Sequence, residues 1–340
     1  MNITAIDLSK SPRASIVVPA YNAAGTITET LESLLAQTFA DFEIIVVDDG
    51  ASDNTVQVVD RFDDPRIRIV CQTNRGLAGA RNTGLYAARG AYVGFCDADD
   101  LWEPRKLAVH VHHLDANPEV GISFSGSRLI DTDSKLLGLT QSPKLSRITA
   151  LDVLCRNPIG NGSAAVVRRA AFAAISWRPA NDCRPWWFDE RFRQSEDVEC
   201  WARFALTTDW KIEGVPGLLT RYRVNPNGLS ADLERQQATW ERMIARMAEI
   251  APETVARIAP RARAYQLRYL ARRAVAQRDG LLSLRLLARA LSCSTRPLVA
   301  EPLKSVTTIA AAVFLSVFGR EAYAKVEQIV LSKGSQLARN

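Results

Sequence analysis

The chain has 340 residues, 47% hydrophobic and 24% charged, which excludes a disordered or collagen-like polypeptide and suits one large domain with an extension. Its six cysteines form no Cys-x-x-Cys pair and several lie in apolar runs, so they read as reduced core residues of a cytosolic protein. The net charge of +6 is uneven: residues 1–230 carry 25 Lys/Arg against 28 Asp/Glu, and residues 231–340 carry 18 against 9.

A near-neutral body with a basic tail points to an anionic partner for the tail, phospholipid or nucleic acid. No helix-turn-helix, zinc-finger or RNA-recognition signature supports nucleic acid, and solvated Arg side chains on a helical tail are the plain alternative. The first twelve residues lack an apolar h-region, which argues against a signal peptide and for a cytoplasmic location.

Up to residue 130 two periodicities alternate. Short β-rich runs fall at Ser15–Pro19, Phe42–Asp48, Ile67–Cys71, Ala91–Cys96 and Gly121–Ser125. Ile27, Leu31, Leu34 and Leu35 share one helix face, a second helix reads from about Gly79 to Ala88, and a third runs from Pro104 to Ala116. Continuous apolar strands alternating with helices predict an α/β fold with a mostly parallel sheet covered by helices. Ligands of such sheets bind outside the carboxyl ends of the strands. The polar clusters Tyr21-Asn22, Asp48-Asp49-Gly50 and Asp97-Ala98-Asp99 all fall there.

Each cluster has a chemical reading. The first strand ends at Pro19, which cannot continue a ladder, and presents Tyr21, whose ring can stack on a base. The second delivers Asp48 and Asp49, either of which can accept the imide N–H of a uracil or thymine, with Gly50 for a tight turn and Asp53 as a helix N-cap. The third is an apolar strand ending in Asp97, Asp99 and Asp100. Unpaired buried carboxylates cost several kcal/mol, so oxygen ligands at this spacing suit Mg²⁺ or Mn²⁺; a solvated turn is the plain alternative.

Between them, Asn74–Gly84 opens a helix bearing Arg81, which suits a diphosphate or a partner carboxylate such as Asp49. Its glycine spacing does not match a dinucleotide fingerprint. Further on, Glu196-Asp197 enters an amphipathic helix with Val198, Trp201 and Ala205 on its apolar face. The helix dipole explains acids there, and a carboxylate so placed can equally serve as general base on an alcohol. The only histidines, His110, His112 and His113, read as exposed helix residues rather than a metal site. Gly160-Asn161-Gly162-Ser163 is read as part of pocket shape. From about Leu233 the pattern is helical, and the uncharged stretch Val306–Phe318, 13 residues long, is shorter than the roughly 20 a spanning helix needs. It fits a buried core helix or an interfacial one between Lys304 and Arg320.

Taken in order, Ser15–Asn22, Gln37–Thr55, Asn74–Gly84, Ala91–Lys106 and Glu196-Asp197…Trp201 resemble the inverting family-2 glycosyltransferases of GT-A fold, over about residues 13–230. The resemblance implies a GT-A domain at 1–230, with a nucleotide-sugar half at about 13–130 and an acceptor half at about 131–230. A basic helical region follows at 231–340. It implies a hexosyltransferase-like enzyme moving sugar from a nucleoside diphosphate sugar, UDP-sugar first, to a hydroxyl of a glycan or lipid-linked glycan.

Pro19, Tyr21, Asp49, Arg81 and Asp97 would bind the nucleotide, Tyr21 by stacking and Asp49 by hydrogen bonding to the base. Asp99 would ligate Mn²⁺ or Mg²⁺, Asp197 would be the general base, and Glu196 and Trp201 would line the acceptor site. Ala51 stands where the family usually has Ser. The tail would make peripheral contact with the cytoplasmic face of the inner membrane. A non-catalytic binding or scaffold subunit that kept the fold is the alternative; intact Asp49, Asp97, Asp99 and Asp197 argue against it. A nucleotidyltransferase would need a basic loop after the first strand, which Pro19–Gly25 lacks.

Overall fold

The computed structural model describes residues 11–180, 182–225 and 232–337, with side chains described as far as 326. The first ten residues, on which most of the signal-peptide reading rests, lie outside this range. The chain clusters into two compact units, Met1–Leu229 and Ser230–Asn340.

Among the described residues the first unit has nine strands: β1 (Ala14–Ala20), β2 (Phe42–Asp48), β3 (Ile67–Cys71), β4 (Tyr92–Phe95), β5 (Leu101–Trp102), β6 (Val120–Ile130), β7 (Leu136–Gln141), β8 (Ala165–Arg168) and β9 (Lys211–Arg223). Its helices are α1 (Ile27–Leu35), α2 (Thr55–Val59), α3 (Gly76–Ala87), α4 (Lys106–Ala116), α5 (Ala150–Arg156), α6 (Arg169–Ala173) and α7 (Glu196–Thr207). One sheet runs in the order β3-β2-β1-β4-β8-β6-β9-β5, with β7 on β6. The four strands β1 to β4 are mutually parallel where they pair, and β8 runs antiparallel to β4.

Strands β1 and β2 are buried along their whole length, as the unbroken apolar runs require. The chain steps outward from β1 to β2 to β3, then returns to place β4 on the other side of β1. That reversal opens a crevice at the carboxyl ends of β1 and β4, where α/β sheets bind ligands.

Pro19 lies inside β1, opposite Val47, rather than at its end. The β4 ladder stops at Phe95 opposite Val17, whose carbonyl accepts from Cys96 N. Pro19, two residues on, faces the same side, where no ladder remains to need its missing N–H. His110 departs from the exposed-residue reading: it is fully buried, because α4 turns it toward β6. Its Nδ1 lies 2.7 Å from Ser123 Oγ, which is 2.8 Å from His113 Nδ1. Asp53 precedes the N-cap Asn54, yet its Oδ1 accepts from Thr55 N, so it does bind the helix entry. Cys96 and Cys200 are core thiols, whereas Cys71 and Cys183 are exposed.

The second unit is helical: α8 (Leu233–Ile250), α9 (Pro252–Ala276), α10 (Gly280–Cys293), α11 (Arg296–Ala300) and α12 (Pro302–Leu337). Asp232 and Asp279 cap α8 and α10 by accepting from Arg235 N and Leu282 N. Leu267, Leu270, Leu286, Leu287 and Ala312 form its core. Helix α12 breaks at Gly319 (φ 80°, ψ 176°). The segment Pro302–Val326 is by length and composition long and apolar enough to cross a membrane, more than the 13-residue uncharged stretch alone implies.

Candidate active site

Three loops meet at the crevice. After β1, Tyr21 stands 55% exposed on the rim. After β2, Asp49 is buried and its carboxylate accepts three hydrogen bonds: Gln72 Nε2 (2.7 Å) and Arg75 N (2.7 Å) on Oδ1, and Gly76 N (2.8 Å) on Oδ2. The last two N–H groups are at the entry of α3, so Asp49 is the partner carboxylate of that helix N-terminus. Ala51 in place of the usual Ser leaves the turn intact, because Ala51 N donates to Asp48 Oδ1 (2.9 Å).

Arg81, on α3, is 1% exposed. Nη2 donates to Asp97 Oδ1 (2.7 Å), Nη1 donates to Glu196 Oε1, and the guanidinium lies 5.6 Å from the Phe188 ring centroid. Burial alone would lower its pKa, but Asp97, Glu196 and Asp197 drive it up and keep the cation permanently charged. One arginine thus joins the acid loop after β4 to the acidic start of α7.

The three acids after β4 divide. Asp100 is fully buried and points inward: Oδ2 accepts from Ser163 Oγ (2.6 Å) and Oδ1 from Arg223 N (2.8 Å). Burial, with Asp99 and Asp97 nearby, pushes its pKa well up, and it serves as a brace. Asp97 and Asp99 remain partly open. Among the described residues the Asp99 carboxylate takes no side-chain hydrogen bond, and burial plus the Asp97 charge raise it to about 6.

This unbalanced negative charge fits a divalent cation. Among the described residues no group of three or more His, Cys, Asp or Glu is placed to hold one. A cation here would therefore combine one or two carboxylates with substrate oxygens, the habit of Mg²⁺ and of Mn²⁺.

At α7, Glu196 is buried against Arg81. Asp197 is half-buried; its Oδ1 accepts from Val198 N (2.8 Å), and no cation pairs with it among the described residues. Burial raises the pKa of Asp197, opposed by Arg81 and helped by Asp97. Helix α7 is anchored by Arg203, which pairs with Glu199, donates to Ile175 O and Trp187 O, and stacks on Trp177.

Two expected site residues fall elsewhere. Trp201 is fully buried among Phe172 and Phe188, with centroids at 5.9 and 6.0 Å, and is core rather than acceptor-facing. Pro19 is buried within β1, one residue before the strand ends at Ala20 and two before the exposed Tyr21. Sequence reasoning missed Arg223, and it read Ser163 as pocket shape. Ser163 instead donates to Asp100, accepts from Asp97 N (2.9 Å), and its carbonyl accepts from Trp102 Nε1 (3.1 Å). Its position beside Gly160-Asn161-Gly162 was the available signal.

Among the described residues β1–β2, β1–β4, β2–β3 and β6–β9 pair in parallel and the other four pairings are antiparallel, so the sheet is mixed rather than mostly parallel; with acidic loops at its switch point it has the GT-A architecture. A mannosyltransferase of Pyrobaculum calidifontis, solved with GDP-Man and Mn2+, shares this fold at TM-score 0.56 and 22% identity, over 93% of this chain and 83% of that one. The family profile described as "Glycosyl transferase family 2" matches residues 15–176. The Escherichia coli UDP-Glc:alpha-D-GlcNAc-diphosphoundecaprenol beta-1,3-glucosyltransferase WfaP is 38% identical over 221 residues, covering 64% of this chain and 80% of that protein. The chain belongs to glycosyltransferase family 2. It spans only 45% of another relative, an uncharacterized glycosyltransferase of Nostoc sp. that is 37% identical over 147 residues, or 42% of this chain.

Proposed function

We propose that the protein is an inverting hexosyltransferase that moves a sugar from a nucleoside diphosphate sugar, UDP-glucose first, to a hydroxyl of a glycan or diphospholipid-linked glycan. The observation that carries this reading is the buried Arg81, shared between Asp97 of the donor loop and Glu196 of the acceptor helix. Tyr21 stacks on the base and Asp49, through the one lone pair left on its Oδ2, orients it. Asp97 lies by the ribose.

Asp99 would hold Mn²⁺ or Mg²⁺, with Asp97 beside it; when bound, the cation offsets the charge that grows on the departing diphosphate. Asp197 takes the proton of the acceptor hydroxyl as that oxygen attacks the anomeric carbon from the face opposite the diphosphate. The choice of Asp197 over Glu196 rests on their partners: Glu196 is hydrogen-bonded to Arg81, and among the described residues no cation forms an ion pair with Asp197. Asp197→Asn should lower kcat by about 10²–10⁴ while UDP still raises the melting temperature in the presence of Mn²⁺. Equal loss of UDP binding and transfer would overturn the base assignment.

The membrane reading of the tail has its own support. Leu303, Val306, Val313 and Val317 recur at helical spacing on α12 and are 76, 56, 45 and 67% exposed, while Ser305, Thr308, Ala312 and Leu315 face inward. Lys304 and Arg320 flank its Val306–Val317 part, an arrangement suited to an anionic bilayer surface. The chain should sediment with phosphatidylglycerol vesicles, and Val313→Lys with Val317→Lys should release it. Sedimentation unaffected by the double variant would rule the stripe out.

A further inference from the structure

Arg223, the last residue of β9, is 6% exposed. A guanidinium has five N–H donors, and here each finds its own acceptor. Nε donates to Asp99 O (2.7 Å), Nη1 to Asp131 O (2.9 Å) and Thr132 O (3.0 Å), and Nη2 to Glu29 Oε2 (3.0 Å) and Ser134 Oγ (3.0 Å). The backbone N–H adds a bond to Asp100 Oδ1 (2.8 Å). One side chain thereby ties α1, the acid loop after β4 and the β6–β7 turn to the end of β9.

Burying a cation is unfavourable unless it is fully paired, and the choice of partners is informative. Three acceptors are main-chain carbonyls, which fix the orientation of the guanidinium without neutralising it. Among the described residues the one carboxylate the guanidinium meets, that of Glu29, is half exposed. The main chain is pinned at the Asp99 carbonyl and again through the Asp100 carboxylate, while the Asp99 carboxylate between them takes no side-chain hydrogen bond among the described residues.

We propose that Arg223 is the positioning residue of the cation site. It holds the Asp99 main chain in the conformation from which the Asp99 carboxylate ligates a divalent cation. The inference rests on the proposed metal role of Asp99.

The test titrates Mn²⁺ into the full chain with UDP present and reads free Mn²⁺ by electron paramagnetic resonance, alongside UDP binding in EDTA and the melting temperature. Arg223→Met should weaken Mn²⁺ uptake about 10- to 100-fold, the range for loss of an outer-shell partner. UDP binding in EDTA should stay within about twofold, a split that a general loss of structure would not give. Arg223→Lys, with its charge kept and its fork lost, should fall between.

If Arg223→Met does not fold, Glu29→Gln combined with Ser134→Ala loosens the same fork from the far side and should weaken Mn²⁺ severalfold. Wild-type Mn²⁺ uptake in the folded variant, or equal loss with and without Mn²⁺, overturns the role of Arg223. An Asp99→Asn variant that still takes up Mn²⁺ like the wild type, or a wild-type chain that takes up none, overturns the metal reading instead.

Discussion

Gly162 lies against the Arg81 guanidinium so closely that a Cβ on it would stand 2.1 Å from Nη2 and 2.8 Å from Cζ. The loop before β8 is thus the wall behind the guanidinium that both acidic motifs share. An exposed arginine would swing away from such a contact at little cost. Arg81 has no such freedom, being buried and held by Asp97 and Glu196.

Gly162→Ala is therefore expected to shift Arg81 and both carboxylates. A displacement of about 1 Å in a catalytic array can cost about 10²-fold in rate. We expect kcat/KM for the sugar donor to fall about 10- to 100-fold with the melting transition retained. Steady-state kinetics beside a thermal melt checks this, and an unchanged kcat/KM would show that catalysis tolerates a displaced Arg81.

Removing the cation itself has a larger effect on stability. Arg81→Met leaves Asp97 and Glu196 facing each other without it, and breaking a buried pair from one side costs about 3–5 kcal/mol. Adding Glu196→Gln should return part of that loss, because the second variant removes a carboxylate that burial already disfavours. Urea denaturation of both single variants and the double variant at pH 7 measures the coupling. Additive losses would mean that the pair contributes nothing as a pair.

What was legible in the sequence followed from pattern. The strand runs, the acids at their carboxyl ends and the acidic entry of α7 are local signals, and β2 and β3 fall at Phe42–Asp48 and Ile67–Cys71 as the runs indicate. What was not legible depended on which way a side chain turns once the sheet forms. Trp201 occupies a face of α7 that meets an aromatic core built from Phe95, Phe172, Phe188 and Phe204, residues far apart in the chain. His110 is buried because α4 packs beside Ser123 of β6. Arg223 has no motif; its role exists only where four chain segments converge. Asp97, Asp99 and Asp100 look equivalent in sequence, and only Ser163 and Arg223 separate the brace from the two open carboxylates.

Asp49 offers a prediction that separates stability from binding. Its carboxylate accepts from Gln72, Arg75 N and Gly76 N, and hydrogen bonds to a charged group each contribute about 1.5–3 kcal/mol. Asp49→Asn turns one acceptor oxygen into a donor that faces N–H groups. It should destabilise the protein by about 2–3 kcal/mol with no nucleotide present, and weaken UDP binding as well. A variant of wild-type stability in urea would contradict the bonding of the α3 N-terminus to this carboxylate.

Lys106 should give the protein a pH dependence with a defined sign. It is fully buried; Nζ donates to Ala164 O (2.9 Å) and Thr220 Oγ1 (3.1 Å) and lies 4.9 Å from the Trp102 ring centroid. Burial lowers its pKa to about 7, against the pull of Cys96 and Asp100. The unfolded chain keeps the ordinary lysine value near 10.4. Below pH 7 both states are protonated, and the folded state bears the full penalty of a buried ammonium. From about pH 7 to 10 the folded lysine is neutral while the unfolded one still holds its proton, so stability rises with pH, by up to about 1.4 kcal/mol per unit. Other groups titrate in this window, so the comparison is with Lys106→Met. Wild type minus variant, measured by urea denaturation at pH 6.5 and pH 9, should grow in favour of the wild type as pH rises. A difference that is flat across that interval would mean that Lys106 stays charged inside the fold.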